Sequence, residues 1–396
     1  MNKDILMVAY SEYETDARII KESESAAEAG LGVDVLVLKS RTSNGMRIHK
    51  NIRVLKINQR RYRGRSNFRY ILAYMFFFIR ILLRITILSL KMRYRIIHIN
   101  NMPDFIVFAA IVPKLKGASL ILDIHDPMPN TFLTKFKSGR SSLWYKLLLF
   151  QETVSAKFAD HVITVNDPVK DEILIKEGIP GDKISVVRNF ADSKVFRLID
   201  HYHLNTKIGI VFYGTIAERF GFRTILKVIS QLNMHDKFYF KIIGNGDFST
   251  QLKQLISEYH LESIVEFDNN TYPVKEIPEI VGNFHLGIVS YDLSPATEYM
   301  LPVKMLEMLL LGIPVITIRN KAIGYYFDDN VYFKYDPGEP DTLKELLENV
   351  LRNPGLIEEK RSSICTRRSE FLWENESKIY QQILKNLMEK QVYEKN

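Results

Sequence analysis

The 396-residue sequence contains one cysteine, Cys365. A lone thiol forms no internal disulfide and builds no cysteine-rich metal site, which excludes a disulfide scaffold. It also points to a reducing, cytoplasmic setting. A secretory leader pattern is missing too, because the opening MNKDILMVAYSE places Asp4 inside a very short apolar run. With 46% hydrophobic and 25% charged residues, the composition excludes a disordered or collagen-like chain. At about 150 residues per domain, the length suggests two or three domains.

Charge of one sign is absent from a long stretch. Val35–Pro103 holds 16 basic residues and no acidic one. Residues 1–190 carry a net +12 and residues 191–396 a net −4, within a total of +8. A field of one sign on one face attracts nucleic acid, anionic lipid or a phosphorylated substrate. The plain alternative is a solubilising surface, although solvated surfaces ordinarily mix signs.

Within that stretch, residues 71–90 read ILAYMFFFIRILLRITILSL. The length suits a membrane span, but Arg80 and Arg84 near its middle each cost roughly 2.5–3.5 kcal/mol on insertion scales. Helical geometry accounts for them better. At about 100° per residue, Arg69, Arg80, Arg84 and Lys91 fall within about 60° of one another, leaving a broad apolar surface. Two readings follow. The segment is a core helix with its cationic stripe in water, or it lies on an anionic bilayer with the preceding run Arg60–Arg69.

Short β-branched runs alternate with helical patterns along the whole chain. The strand-like runs are Asp4–Tyr10, Val33–Leu38, Arg95–Asn100, Ser119–Ile124, Val162–Val165 and Ile184–Val187. The rhythm restarts with Ile208–Tyr213, Phe238–Ile243, Ile264–Phe267, His285–Ser290 and Ile313–Ile318. Helices are expected between them, among them Asp16–Ala29, Thr224–Met234, Thr250–Tyr259 and Pro302–Leu311. Alternating βα units mean parallel sheets covered on both faces. The expected fold is α/β, with two facing Rossmann-like, doubly wound domains at 1–190 and 200–368. A C-terminal helix at 369–396 would return to the first domain. Ligands of such sheets sit at the carboxyl ends of strands, which places the site in the cleft between two facing domains.

Four segments carry candidate chemistry. In IIGNGD, Gly244 and Gly246 permit a tight strand-to-helix turn and close backbone approach to an anion; a turn with no ligand reads equally well. In YGTIAERFG, Gly214 permits a close turn and Arg219 suits a diphosphate, or is a surface arginine. In LPVKMLEMLLLGIPV, Pro302 opens a helix, Lys304 and Glu307 share one face, and Gly312 closes it. Glu307 suits two ribose hydroxyls, and Lys304 with the helix N-terminus suits phosphates; a carboxylate there is also a plain dipole partner. In LDIHDPMPN, His125 and Asp126 follow a strand end, where His125 suits a substrate hydroxyl or is a satisfied structural histidine.

Taken in order, these segments resemble glycosyltransferase family 4, whose members have the two-domain GT-B architecture. The resemblance covers most of the chain. It runs through Asp16-Ala17-Arg18-Ile19, LDIHD, KISVVRNFAD, YGTIAERFG, IIGNGD, the SYD at Ser290–Asp292, and P-x-K-x-x-E-x-x-x-x-G-x-P-V from Pro302 to Val315. Two departures stand out. The family commonly places a second glutamate eight residues before the one matched by Glu307; that position is Tyr299, with Glu298 one residue off. The common arginine and lysine of the phosphate-binding loop are replaced by Thr215 and Phe220, leaving Arg219 and Lys304 as the nearest cations.

The resemblance implies a retaining transfer of sugar from a nucleotide-diphosphate sugar, with no cofactor and no divalent metal. Gly214, Arg219, Gly244, Gly246, Lys304 and Glu307 would bind the donor, and His125, Asp126 and Glu298 would stand at the reacting centre. A lipid-linked saccharide acceptor in cell-surface polysaccharide or lipopolysaccharide assembly is implied, at the inner face of the cell membrane. The basic first domain would then associate peripherally with anionic lipid rather than nucleic acid. The alternatives are a nucleotide-sugar epimerase of the same architecture and a non-enzymatic polyanion-binding protein.

Overall fold

The computed structural model describes residues 3–40, 48–62, 67–136, 139–199 and 207–393. Of the basic run Arg60–Arg69, residues Arg63–Ser66 lie outside the described residues. The chain divides into two compact units, one comprising residues 1–189 and 376–396 and the other residues 190–375.

The first unit is built on a seven-stranded, all-parallel sheet. Its strands are β1 (Ile5–Val8), β2 (Val33–Leu38), β3 (Ile52–Ile57), β4 (Ile96–Asn100), β5 (Ser119–Ile124), β6 (His161–Thr164) and β7 (Ile184–Val186), in the spatial order 3-2-1-4-5-6-7. β1 pairs with β2 through Ile5 and Val33 and with β4 through Ile5 and Ile96, so the order reverses at β1/β4. Strands β1 and β2 are buried along their whole length, as covered parallel strands must be. Buried Asp34 in β2 is satisfied by Arg53 Nε at 2.9 Å and Tyr94 Oη at 2.6 Å. Strand β3 has no counterpart among the sequence expectations. It is an edge strand whose Arg53 and Lys56 break the apolar run, as edges favour.

Five helices of this unit matter below: α1 (Ala17–Glu28), α2 (Asn67–Lys91), α3 (Ile111–Leu115), α4 (Met128–Phe136) and α5 (Leu143–Phe158). Asp16 caps α1 by accepting from the Ile19 N–H. In α2, Phe77, Ile81, Ile85 and Leu88 form one buried stripe. Phe76, Leu83 and Leu90 on the other side are 57%, 59% and 69% exposed. The helix is long and apolar enough to cross a membrane, yet 22% of its most apolar stretch is buried. It is therefore not simply a core helix with a charged stripe.

The second unit repeats the plan with six parallel strands: β8 (Ile208–Tyr213), β9 (Phe238–Ile243), β10 (Val265–Asp268), β11 (Leu286–Val289), β12 (Val315–Ile318) and β13 (Tyr332–Tyr335). Their order is 10-9-8-11-12-13, with the reversal at β8/β11. Strand β13 is likewise absent from the sequence expectations. Helices α6 (Phe222–Ser230), α7 (Ser249–Glu258) and α8 (Val303–Leu311) follow strands β8, β9 and β11. Gly312 ends α8 at φ +79°, a conformation that favours glycine.

The last helix, α9 (Trp373–Tyr393), begins in the second unit, and its residues from Glu376 onward belong to the first. There Glu376 accepts from Arg188 N at 2.8 Å and Nε at 2.9 Å. Tyr380 is fully buried against His98 Nδ1 at 2.8 Å, and Ser377 bonds Ser25 at 2.7 Å. The helix is part of the first unit's core.

Candidate functional site

In the second unit, the loops at the carboxyl ends of β8 and β9 and the start of α8 meet around Glu307. Tyr213, the last residue of β8, donates its hydroxyl to Glu307 Oε2 at 2.7 Å. Lys304 Nζ donates to the same oxygen at 3.0 Å and stands 4.7 Å from the Tyr213 ring centroid. Burial, then the adjacent carboxylate, pushes the Tyr213 hydroxyl well above its ordinary range, so it remains a donor. Both bonds fall on Oε2, and Oε1 takes part in neither. The Glu307 side chain is 8% exposed and that of Lys304 39%, so a fixed acceptor stands beside a reachable cation. Sequence reasoning placed Lys304 and Glu307 on one face, and they are. It missed Tyr213, whose only signal was a polar group ending a buried strand.

Gly214 and Gly244 adopt φ +136° and +141°. A Cβ on Gly244 would collide with the Gly214 carbonyl oxygen, and one on Gly246 with the Ile216 carbonyl oxygen. The two loops interlock through Gly214 N–H to Ile243 O at 2.9 Å and Ile216 N–H to Asn245 O at 3.1 Å. The amides proposed for an anion are already engaged: Gly244 N–H on Asp268 O at 2.9 Å and Gly246 N–H on Ser249 Oγ at 3.0 Å. Both glycines are thus required by loop-on-loop packing, which explains them without a phosphate.

Arg219 lies in the turn before α6, exposed, with its guanidinium 5.1 Å from the Phe220 ring centroid. Its carbonyl accepts from Asp292 N–H at 2.9 Å, tying this turn to the loop after β11. That loop is pinned by Asn320, whose Nδ2 donates to Thr297 O and Met300 O, each at 2.7 Å. Glu298 sits on it, 3.5 Å from Lys321 Nζ, which also reaches Tyr299 Oη at 2.8 Å. Glu298 is engaged with Lys321 here.

In the first unit, His125 follows β5 and is held by three neighbours. Its backbone N–H donates to Asn101 Oδ1 at 2.9 Å. Its Nε2 lies 2.9 Å from Asp123 Oδ2 and 3.2 Å from Asn100 Oδ1. Two acceptors at Nε2 place a proton there, so Nδ1 is the ring nitrogen outside these contacts. Asp123 is in turn gripped by the Arg18 fork, Nε and Nη2 each at 2.9 Å. Burial alone would raise the Asp123 carboxyl; Arg18, then His125, hold it well below the usual carboxylate range. Asp126, beside His125, is exposed and contributes only its backbone oxygen, which accepts from Asn101 at 3.0 Å.

Glu22, His98 and Asp123, all buried, bring one potential metal ligand atom each to within 4.8 Å of one another. The cation already among them is Arg18, 3.0 Å from Glu22 and 2.9 Å from Asp123. The trio therefore fits a guanidinium rather than an ion. Burial, partly offset by Arg18, holds the Glu22 carboxyl well above its ordinary value, and burial keeps His98 neutral. Sequence reasoning named Arg18 only as part of an opening motif and missed the clamp, which joins residues 105 positions apart.

The comparisons with known proteins divide along the same line. Residues 22–195 match the model described as Glycosyltransferase Family 4, and residues 200–367 the one described as Glycosyl transferases group 1. The chitobiosyldiphosphodolichol beta-mannosyltransferase of Debaryomyces hansenii is 24% identical over 311 residues, covering 70% of this chain and 65% of that protein. The chain spans less than two thirds of the length of the curated relatives it matches. Among solved structures, sucrose-phosphate synthase from Thermosynechococcus elongatus superposes with a TM-score of 0.76 at 15% identity, covering 98% of this chain and 99% of that one. A protein from Anabaena in complex with UDP and glucose gives 0.70 at 14% identity, covering 97% and 100%. At these identities the likeness establishes the two-domain fold.

Proposed function

We propose that this chain, which belongs to the family 4 glycosyltransferases of GT-B fold, transfers a sugar from a nucleotide-diphosphate donor to a lipid-linked saccharide in the assembly of cell-surface polysaccharide. The observation that carries this reading is the fixed pair Glu307–Lys304 at the start of α8. A carboxylate held by Tyr213, with one oxygen outside both bonds, suits the two hydroxyls of a ribose. Lys304 and exposed Arg219 stand on the same unit and suit a diphosphate. The UDP bound to the Anabaena protein is consistent with such a donor.

The leaving diphosphate is neutralised by Arg219, Lys304 and the N-terminal end of α8, which asks for no divalent metal. Glu307 fixes the ribose and thereby the distance from diphosphate to sugar. In the first unit, His125 offers Nδ1 to a hydroxyl of donor or acceptor, with its ring set by Asp123 and Asn100. Transfer proceeds with retention, the acceptor hydroxyl attacking from the face the phosphate leaves. The first relative is named for a β-linked product, so the anomer formed here is a discriminating observation.

The open apolar face of α2 and the 16 basic residues of Val35–Pro103 suit peripheral binding to an anionic membrane on the cytoplasmic side. The reading is tested by a thermal-shift screen of nucleoside diphosphates against the full chain and Glu307→Ala. One diphosphate should raise the midpoint in the parent and not in the variant. An equal shift in both removes Glu307 from the site. Turnover of the donor without any acceptor would favour an epimerase instead.

A further inference from the structure

Helix α5 is as incompletely covered as α2. Leu143 is 80% exposed, Trp144 61%, Leu147 52% and Phe150 66%. At 100° per residue, Leu143, Leu147, Phe150 and Val154 fall within about 60° of one another, so one open apolar stripe runs the length of the helix. Lys146 and Lys157, both exposed, border one edge of it.

The two helices belong to one surface. Both pack on the segment 104–110, α2 through Phe78 against Phe105 at 5.6 Å and α5 through Phe158 against Phe108 at 5.0 Å. At the end of α4, Lys135 lies 4.8 Å from the Tyr70 ring centroid of α2. The only acidic residue of α2, α3, α4 and α5 is Glu152, and it is fully buried. The exposed charges on these helices are therefore all positive, among them Arg80, Arg84, Lys91 and Lys146.

We infer that α5 is a second membrane-inserting element and that the first unit sits on an anionic bilayer through two helices, α2 and α5. An apolar stripe edged by cations, with no exposed carboxylate on either α2 or α5, matches the boundary between acyl chains and anionic headgroups. Pairing of this face with a second copy of itself would set cation against cation. The inference rests on the membrane part of the proposed function and adds to it an element, an orientation and a reporter. With α2 and α5 both in the interface, the 104–110 segment lies at headgroup depth. Asn101, three residues before it, holds the His125 loop. A lipid-linked acceptor would then meet His125 without leaving the membrane.

The test uses the intrinsic fluorescence of the full chain. Its two tryptophans are Trp144 and the buried Trp373, 7% exposed. Vesicles containing about one third phosphatidylglycerol in phosphatidylcholine should shift Trp144 emission to the blue, and brominated acyl chains should quench it. Leu147→Glu with Phe150→Glu should weaken vesicle binding about tenfold or more, with an unchanged circular dichroism spectrum and melting midpoint. Leu83→Glu in α2 serves as the comparator. Binding lost in the α2 variant but intact in the α5 variant, with no Trp144 shift, overturns the inference and leaves the α2 reading standing. Equal binding to neutral vesicles overturns it. So does a dimer that the α5 variant splits in sedimentation. Absence of vesicle binding by the parent chain overturns it together with the membrane part of the proposed function, while nucleoside diphosphate binding still reports on the donor site.

Discussion

Tyr213 and Glu307 stand 94 positions apart in the sequence and 2.7 Å apart in space, the phenol donating to a carboxylate 8% exposed. The bond ties the end of β8 to the second turn of α8. Tyr213→Phe removes the donor and leaves the ring that Lys304 covers. Nucleoside diphosphate binding should weaken by about tenfold, the scale of one lost hydrogen bond to a charged group. Calorimetric titration checks this. An unchanged affinity means that Glu307 needs no such support.

Asp123 is held by Arg18 and itself holds His125. Asp123→Asn keeps the shape but removes the charge facing Arg18. Unfolding should become easier by about 3–5 kcal/mol, the cost of breaking a buried pair. In the fraction that stays folded, kcat should fall by about 100-fold with little change in the donor KM. Nitrogen NMR of His125 should lose its single tautomer. Loss of stability alone, with kcat intact, would leave the clamp a structural feature.

A second buried group of carboxyls gives the first unit a pH dependence of definite sign. Burial lifts Asp104 from its ordinary 3.8 to about 7, and burial also raises Glu152 and Glu177, with Asp104 and Glu177 adding to the effect on Glu152. A raised carboxyl binds its proton more tightly when folded. Its contribution is complete below the unfolded value and lost as pH rises through the folded one. For Asp104 the window is pH 3.8 to about 7. The midpoint of chemical unfolding should therefore decline as pH rises through that window, and Asp104→Asn should flatten the decline. Asp123 acts in the opposite sense, since its lowered carboxyl costs stability only as pH falls below the usual carboxylate range.

Gly244→Ala tests the interlocked loops. The added methyl group meets the Gly214 carbonyl, and φ is +141°. A loss of about 3 kcal/mol or more is expected from strain and displacement together. If Ala is tolerated, the loops are looser than described and the glycines regain a role in anion approach.

The sheets were legible where the chain buries both faces of a strand. Val33–Leu38, Ser119–Ile124, Ile208–Tyr213 and Phe238–Ile243 coincide with β2, β5, β8 and β9. Strands β3 and β13 escaped because Arg53, Lys56 and Lys334 interrupt their apolar runs at sheet edges. Lys304 and Glu307 were legible because three-residue spacing on a helix fixes a shared face. Tyr213 with Glu307 and Arg18 with Asp123 were not, since only tertiary pairing of distant strands and helices brings them together. The glycines of IIGNGD were legible as a tight turn, but what they approach closely is the neighbouring loop. That the loop at Gly214–Ile216 is their packing partner is invisible to any local pattern.

The most direct measurement of the central claim is a crystal structure of the full chain with a nucleoside diphosphate. The ribose hydroxyls should lie on Glu307, with the diphosphate between Arg219 and Lys304. A nucleotide bound elsewhere, with Glu307 still facing only Tyr213 and Lys304, would contradict it.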